Sequence, residues 1–370
     1  MSPRIILFGA TGYTGHLAAE AMVRRGLKPV LAGRDPAKLD NLASRLGGLE
    51  TAKADVNRPT SLADLVKPGD VLVTTVGPFT LYGEAAIAAA VGKGAHYVDS
   101  TGEPGFVRKV FENYGPRAKA GGLALIPAGG YDYVPGNVAA AEALRAAGPK
   151  AVRVDVGYFS LGRFELSQGT LASTRAAMAE PDLMWQAGRL VEQASGTRLR
   201  AFQVSGKDML GISISSSEHY SLPRLYPQLR DVNVYLGWFG KRSRALQRAA
   251  KVQSVLRKIP GAKSVLRSMT LRVPPSRGQG PDAEARSKAK SLILAECFDA
   301  AGKLLARSEF LGVNGYSFTA EMLTWFAEAI LKGKLKASGA LGPVEAFGLE
   351  EVIEGCRQAG LELTTSAKSG

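Results

Sequence analysis

The chain has 370 residues, of which 45% are hydrophobic and 22% are charged, a composition typical of a folded globular protein long enough for two domains. Two cysteines exclude a disulfide framework, and no apolar run reaches the roughly twenty residues that a membrane span needs, so we expect a cytoplasmic protein. The net charge is +14, and the window from Lys241 to Lys290, with fourteen cations and two acids, carries +12 of it.

The first motif is a glycine-rich segment that follows the apolar run Ile5–Phe8. Such a run predicts a buried parallel strand, and the helical spacing of Leu17, Ala18, Ala21 and Met22 predicts an amphipathic helix. Strand, glycine turn and helix together predict a dinucleotide site, because the helix N-terminus offers N–H groups and positive charge to a pyrophosphate. The residues expected to bind the cofactor in this turn are Gly9, Ala10, Thr11, Gly12, Tyr13, Thr14 and Gly15.

The end of the second predicted strand indicates which dinucleotide binds. NAD-binding folds usually place an acid near this point to bind the ribose 2′-OH, but here Gly33 is followed by Arg34. A guanidinium pairs with a 2′-phosphate, and Lys38 could add a second cation. Asp35 is expected to cap the next helix, with Pro36 at its first position. The pattern favours NADP(H) over NAD(H).

Strands and helices alternate up to about residue 130, which predicts a doubly wound parallel sheet. Ligands of such sheets bind beyond the carboxyl ends of the strands, where this sequence places polar and aromatic loops. Further cofactor contacts are expected from the loops after the third and fourth strands. These are Asp55, Val76, Gly77 and Pro78.

The pattern changes near residue 150. Residues Ala151–Ser160 alternate in hydropathy as a half-buried strand does, and Phe318–Leu331 reads as a long helix covering the first domain. We expect an α/β protein with a Rossmann domain at 1–130, an α+β substrate and dimerisation domain at 131–315, and helices at 316–370 that return to the Rossmann domain.

Landmarks along nearly the whole chain resemble the saccharopine dehydrogenase-like oxidoreductases, in particular the branch named for trans-acting enoyl reductases of lipid and polyketide assembly. The matching stretches are Gly9–Gly15, Leu31–Arg34, Val76–Gly83, His96–Glu103, Gly129–Pro135, Gly169–Ser173 and Gly315–Thr319. The resemblance implies a Rossmann domain, an inserted α+β domain, NADP(H) and a homodimer. Members often carry Arg directly after the third glycine, whereas His16 stands there in this chain, so either a phosphate contact is lost or His16 is a surface residue.

Three residues in the loops at the strand ends are candidates for catalysis: Tyr82, Tyr131 and Asp132. Asp132 could be a general acid whose pKa burial raises, or the N-cap or Asx turn before Pro135. Each tyrosine could donate its hydroxyl, stack on the nicotinamide or line a pocket.

Other polar residues receive structural interpretations. Asp99 and Glu103 could orient a ribose or cap the helix after Gly102, and His219 reads as a structural histidine. The three histidines are too scattered to predict a metal site, and no nucleophile-elbow pattern supports a hydrolase.

The basic window contains the amphipathic stretch Ser243–Ile259. The stretch has two interpretations, which are compatible with each other. In the first, it docks an acidic acyl-carrier protein or an anionic membrane surface, and the membrane surface would make the protein peripheral to a membrane. In the second, it forms a lid over the substrate cleft that is packed by its apolar stripe. Nucleic-acid binding is not expected, because aromatic residues do not alternate with the cations. The stripe consists of Leu246, Ala249, Ala250, Val252, Leu256 and Ile259.

The residues together predict an NADP(H)-dependent oxidoreductase that reduces a C=C bond of an apolar or acyl-chain substrate. A C–N dehydrogenase of the amino-acid type is an alternative, with Arg153, Arg163 or Arg175 binding substrate carboxylates. The other alternative is a non-catalytic protein that binds NADP(H) together with a lipid or a partner.

Overall fold

The computed structural model describes residues 2–162, 166–178, 183–256 and 280–367. The chain divides into two compact units, Met1–Val134 with Gly315–Gly360, and Pro135–Asn314 with Leu361–Gly370. Within the described ranges, no helix combines the length and the apolar character needed to cross a bilayer.

The first unit is built on a seven-stranded sheet in which every pairing is parallel. The strands are β1 Ile5–Phe8, β2 Val30–Gly33, β3 Thr51–Lys53, β4 Val71–Thr74, β5 His96–Asp99, β6 Ala124–Ile126 and β15 Gly339–Ala340. Their order is β15-β6-β5-β4-β1-β2-β3. Successive strands are added outward on one side of β1 up to β3 and then on the other side from β4 onward. The point between β1 and β4 is therefore the topological switch point, where such sheets bind ligands.

Helices connect these strands. They are α1 Tyr13–Arg24, α2 Pro36–Arg45, α3 Pro59–Leu65, α4 Phe79–Lys93, α5 Pro104–Lys109 and α6 Gly115–Ala120. The two longest, α1 and α4, bury apolar residues along one side. A π-helical turn, Val110–Tyr114, joins α5 to α6, directly before the Gly115-Pro116 pair. The three segments do not form one continuous α-helix, because Pro116 has no N–H to donate.

The C-terminal part of the first unit covers the same sheet. It consists of strand β15 and the helices α12 Gly315–Leu331, α13 Pro343–Phe347 and α14 Leu349–Gln358. Helix α12 is buried along most of its length, and Glu321 on it pairs with Arg24 and Arg25 of α1. The predicted return of the chain to the Rossmann fold is confirmed.

The described residues of the second unit form nine strands and five α-helices. The strands are β7 Arg153–Leu161, β8 Leu183–Gln186, β9 Arg189–Glu192, β10 Leu199–Val204, β11 Lys207–Ile214, β12 Asp231–Leu236, β13 Lys290–Phe298, β14 Leu304–Val313 and β16 Leu361–Ala367. Seven of them form a mixed sheet of order β10-β11-β12-β7-β13-β14-β16, and β8 and β9 form a separate hairpin. The helices among the described residues are α7 Val134–Ala147, α8 Gln168–Met178, α9 Glu218–Leu225, α10 Ser243–Leu256 and α11 Ala283–Lys288.

The end of the chain differs from the sequence expectation. The predicted segment 316–370 contains helices only, but residues Leu361–Ala367 form β16, which pairs antiparallel with β14 in the sheet of the second unit. The strand is short and rich in Thr and Ser, so its hydropathy resembles that of a tail. Its pairing depends on a partner that lies far away in sequence.

Candidate functional site

The glycine turn lies between β1 and α1, at the edge where the parallel strands of the first unit end, here called the carboxyl edge. Gly9 has φ +89°, and a Cβ there would lie 2.8 Å from Val76 Cγ2. A Cβ on Gly15 would lie 2.1 Å from the backbone oxygen of Gly9. Both glycines are therefore required for the turn to lie flat against the end of β4.

The N-terminus of α1 differs from those of α2 and α4. Its N-cap residue is Gly12, which offers no side-chain acceptor, and its first turn carries no acid. In contrast, the Asp35 carboxylate accepts from Lys38 N at 3.2 Å and so caps α2, as predicted from the sequence. Thr11 and Gly12 are exposed, so α1 presents its N-terminal N–H groups to a ligand anion.

Glu103 caps α4, a role that was not predicted from the sequence. Its buried carboxylate accepts from Phe79 N at 2.7 Å and from Thr80 N at 2.8 Å. The sequence suggests a cap for the helix that follows Gly102, but the capped helix begins twenty-four residues earlier in the chain. Glu103 thus fixes the loop after β5 to the loop after β4 and is a structural residue.

Arg34 lies exposed at the end of β2, and its guanidinium makes no ion pair or hydrogen bond within the described residues. Lys38 has a partner, because its Nζ lies 3.7 Å from Asp35 Oδ2. Gly33 is buried and packs on Leu39. Of the two predicted phosphate ligands, Arg34 is the one whose charge is available.

We expect Arg34→Ala to weaken NADPH binding by about 1.5–3 kcal/mol, the range for a hydrogen bond between charged groups, and to leave NADH binding nearly unchanged. Lys38→Ala should have a smaller effect, because Asp35 already neutralises part of that charge. Fluorescence titration of both cofactors with wild type and the two variants checks this. An equal loss for NADPH and NADH would contradict a 2′-phosphate contact.

The remaining predicted cofactor residues also lie at the carboxyl edge. Asp55 is half-buried after β3, and its Oδ1 accepts from Asn57 N at 2.9 Å. Val76, Gly77 and Pro78 are half-buried after β4, and the Gly77–Pro78 peptide bond is cis. The structure therefore places every predicted cofactor residue at one edge of the sheet, and their contacts with NADP(H) stay a prediction.

Asp99 is fully buried at the end of β5. Its Oδ1 accepts from Thr101 N at 2.8 Å and from Ala128 N at 2.9 Å, so it joins the loops after β5 and β6. Burial raises the pKa of the Asp99 carboxyl to about 7, although the two backbone donors oppose that shift. Its inaccessibility makes it a support for the loops rather than a group that touches ligand.

Asp132 lies in the loop between β6 and α7. Protein surrounds it on most sides, and burial raises the pKa of its carboxyl to about 6, yet part of the side chain stays accessible. A Cβ on Gly102 would lie 2.9 Å from Asp132 Oδ2, so the glycine makes room for the carboxylate. Among the described residues its carboxylate accepts no hydrogen bond, which does not support the N-cap alternative.

Tyr133 and Tyr131, on either side of Asp132, are fixed by a hydrogen bond and by packing, respectively. Tyr133 donates to Gly102 O at 3.1 Å, and Tyr131 is buried, with Phe318 at 6.4 Å between ring centroids and Gly315 against its ring. Tyr131 thus connects the loop after β6 to α12. Tyr82, in contrast, is 39% exposed on the first turn of α4 and is the predicted tyrosine that can face a ligand freely.

The histidines have structural partners. His219 Nδ1 accepts from Trp185 N at 3.2 Å, and burial lowers its pKa to about 4, so it is neutral. His96 Nδ1 accepts from Ala124 N at 3.1 Å. His16 Nε2 lies 3.2 Å from Glu20 Oε1 along α1. No group of His, Cys, Asp and Glu suited to a metal occurs in the part of the chain that the structure describes.

The carboxyl edge fits a dinucleotide with a 2′-phosphate. The glycine turn leaves the space that side chains would fill, α1 supplies N–H groups, and Arg34 supplies a cation. Asp132 adds a carboxyl whose pKa burial raises to about 6, so that a fraction of it stays protonated near neutral pH. Hydride transfer coupled to delivery of one proton is the chemistry that this set of groups can perform.

Comparisons with known proteins agree with this geometry. Residues 5–126 match the family described as "Saccharopine dehydrogenase NADP binding domain". The chain is 27% identical to the "Putative trans-acting enoyl reductase" of Mycobacterium tuberculosis, covering 98% of this chain and 97% of that protein. It is 34% identical to the "Trans-acting enoyl reductase" of Mycobacterium ulcerans over 36% of this chain and 34% of that protein.

Two further similarities concern other proteins. The "Lipid droplet localized protein" of Caenorhabditis elegans is 33% identical over 36% of this chain and 34% of its own length. The solved structure of apo saccharopine dehydrogenase (L-Glu forming) from Saccharomyces cerevisiae has a TM-score of 0.63 and 15% identity, covering 99% of this chain and 100% of that chain. This last likeness shows the fold, and it confirms the predicted architecture.

Proposed function

We propose that the protein reduces a C=C bond conjugated to a carbonyl group, because residues 5–126 match the saccharopine dehydrogenase NADP-binding domain and a relative similar over nearly the whole chain is named a trans-acting enoyl reductase. The substrate is an apolar molecule with an acyl chain. The observation that carries the proposal is the Asp132 carboxyl, which is partly accessible at the carboxyl edge, has no hydrogen-bond donor among the described residues and has a pKa raised to about 6.

The proposed reaction balances with one hydride and one proton. Bound NADPH supplies the hydride, which the β carbon receives. Asp132 in its protonated form gives a proton to the α carbon as the C=C bond becomes a single bond. The accessible part of the Asp132 side chain then allows a proton from water to restore the acid. The exposed Tyr82 is the candidate donor to the substrate carbonyl oxygen.

The charges at the carboxyl edge favour a substrate without carboxylates. The loops after β4, β5 and β6, residues 75–82, 99–103 and 127–133, contain no Lys or Arg. An amino-acid substrate would need cations there to pair with its carboxylate, and these loops supply none.

The arginines named as alternatives in the second unit do not supply a described carboxylate site. Arg153 lies over the ring of Phe298, 4.1 Å from its centroid, and its Nε is 3.6 Å from Asp155 Oδ1. Arg163 and the side chain of Arg175 lie outside the described residues. The names of the mycobacterial relatives support an enoyl substrate, and that of the nematode relative supports an apolar one.

A panel of substrates tests the proposal. NADPH labelled with deuterium at the transferred position is mixed with enoyl thioesters of increasing chain length, and separately with amino-acid and oxo-acid pairs that form imines. We expect NADPH oxidation with the enoyl thioesters, deuterium at the β carbon, and faster turnover as the chain lengthens. Turnover with the imine-forming pairs alone would assign C–N chemistry, and tight NADPH binding with no oxidation would favour the non-catalytic alternative.

A further inference from the structure

Helix α10, Ser243–Leu256, is attached to the second unit by one row of side chains. Ser243 is buried, and Gln247 Nε2 donates to Thr197 O at 3.2 Å. Ala250 packs against Gly196, where an added Cβ on the glycine would lie 3.1 Å from Ala250 Cβ. These residues recur at helical spacing and therefore form one face. That face holds the helix against the segment leading into β10.

The opposite side of α10 exposes apolar residues. Leu246 is 40% exposed and Val252 is 61% exposed, and the preceding turn exposes Phe239 to 38%. The spacing of three and four residues places the exposed row on one side of the helix. The row consists of Ala245, Leu246, Ala249 and Val252. Of the predicted apolar stripe, Leu246, Ala249 and Val252 are exposed and Ala250 is half-buried, whereas the side chain of Leu256 and residue Ile259 lie outside the described residues. The lid stays a prediction.

A row of cations lies between the attached face and the apolar row. Arg244, Arg248 and Lys251 are exposed and follow the same helical spacing. Lys241 and Arg242 are exposed in the turn before the helix. The sequence contains no acid between Asp231 and Asp282, so these charges have no counter-ion nearby along the chain.

We propose that α10 docks the protein on an anionic lipid bilayer, with its apolar row in the headgroup region and its cations on the lipid phosphates. Segregated apolar and cationic rows on an exposed helix are the anatomy of a helix that lies in a membrane interface. A lipid interface uses both rows at once, with the cations on the phosphates and the apolar side chains below them. The proposal concerns the second unit and does not depend on the proposed reaction.

Co-sedimentation of the full chain with vesicles tests this docking. We expect binding to vesicles of equal parts phosphatidylcholine and phosphatidylglycerol, little binding to phosphatidylcholine alone, and loss of binding as salt is raised. Replacing Arg244, Arg248 and Lys251 together with Gln should weaken binding roughly a hundredfold, about fivefold for each cation. The double variant Leu246→Gln and Val252→Gln should also weaken binding without changing the net charge.

A matched control changes the same number of exposed cations elsewhere in the second unit, namely Lys150, Arg189 and Lys303 to Gln. It should bind vesicles as wild type does. The proposal is overturned if wild type stays in the supernatant with anionic vesicles, or if the α10 variants bind them unchanged. Binding of a purified acidic acyl-carrier protein through α10, with no vesicle binding, would overturn it in favour of a protein partner. All variants should bind NADPH normally, which separates this result from any failure of the proposed reaction.

Discussion

Replacing Asp132 with Asn is expected to lower kcat by about 10²–10⁴-fold, the usual contribution of a general acid, and to leave the affinity for NADPH unchanged. Asn keeps the shape of the side chain but has no proton to give at the pKa of a carboxylic acid. The loop geometry should survive, because Gly102 leaves room for a side chain of this size. Stopped-flow turnover of the best enoyl thioester and a separate NADPH titration measure the two effects.

The assignment of Asp132 as a general acid also predicts the direction in which activity changes with pH. A general acid works while it is protonated, so with a pKa near 6 the wild-type kcat/KM should fall as the pH rises above about 6. The profile of the Asn variant should be flat over the same range. A wild-type profile that rises from pH 5 to pH 8 would contradict the assignment of Asp132 as the acid.

The same substitution should stabilise the protein at pH 8. The folded-state pKa of Asp132 lies above its unfolded value, so its favourable contribution is complete below the unfolded pKa and is lost as the pH rises through about 6. Asn has no ionised form to bury, and we expect a gain of about 1–2 kcal/mol in the free energy of unfolding at pH 8. Asp64→Asn, at an exposed position on α3, is the control and should change neither stability nor turnover.

The second large effect is expected from Gly15→Ala. The added Cβ would meet the Gly9 carbonyl oxygen at 2.1 Å and the Gly9 carbonyl carbon at 2.8 Å, both of them backbone atoms that cannot turn away. Either α1 or the glycine turn must move, at a cost of about 1–3 kcal/mol or more. Since the turn is the predicted pyrophosphate site, NADPH and NADH should lose affinity together. This pattern differs from that of Arg34→Ala, which should affect NADPH alone.

Gly92→Ala is the matched control for this change. Like Gly15, Gly92 lies in a helix, in this case α4. Gly92 is exposed, and a Cβ there would meet nothing within 4 Å. Alanine favours a helix over glycine by about 1 kcal/mol, so the control should be slightly more stable and should bind both cofactors normally. Calorimetry of both variants with isothermal titration of each cofactor checks the pair. Wild-type cofactor affinity in Gly15→Ala would contradict the placement of the pyrophosphate.

Local patterns were sufficient for the first sheet. Each of its first six strands is a short run with apolar residues before a turn, and the following helices begin with signals such as Asp35-Pro36, so the alternation is visible in the sequence. The edge where the loops meet follows from the geometry of parallel strands. For that reason the glycine turn, Arg34 and Asp132 can all be assigned to one edge from the sequence alone.

Contacts between segments far apart in the chain could not be predicted from local sequence patterns. Glu103 caps a helix that begins before it in the chain, and Tyr131 is buried by residues around Gly315. Strand β16 is assigned only once its partner β14 is known. The exposure of the α10 apolar row depends on which side of the helix packs against the rest of the second unit. An amphipathic pattern alone does not identify the packed side.

The path of the chain between the two units bears on how the protein is made. The chain leaves the first unit after residue 134 and returns at residue 315, and β15 beside β6 is added only near the end. During translation residues 135–314 of the second unit are made while β6 still has an open edge and α12 does not yet exist, and β16 completes the second unit last. Nascent chains of this protein should therefore depend on chaperones late in synthesis, and a product truncated within the second unit should be degraded rather than accumulate as a nucleotide-binding fragment.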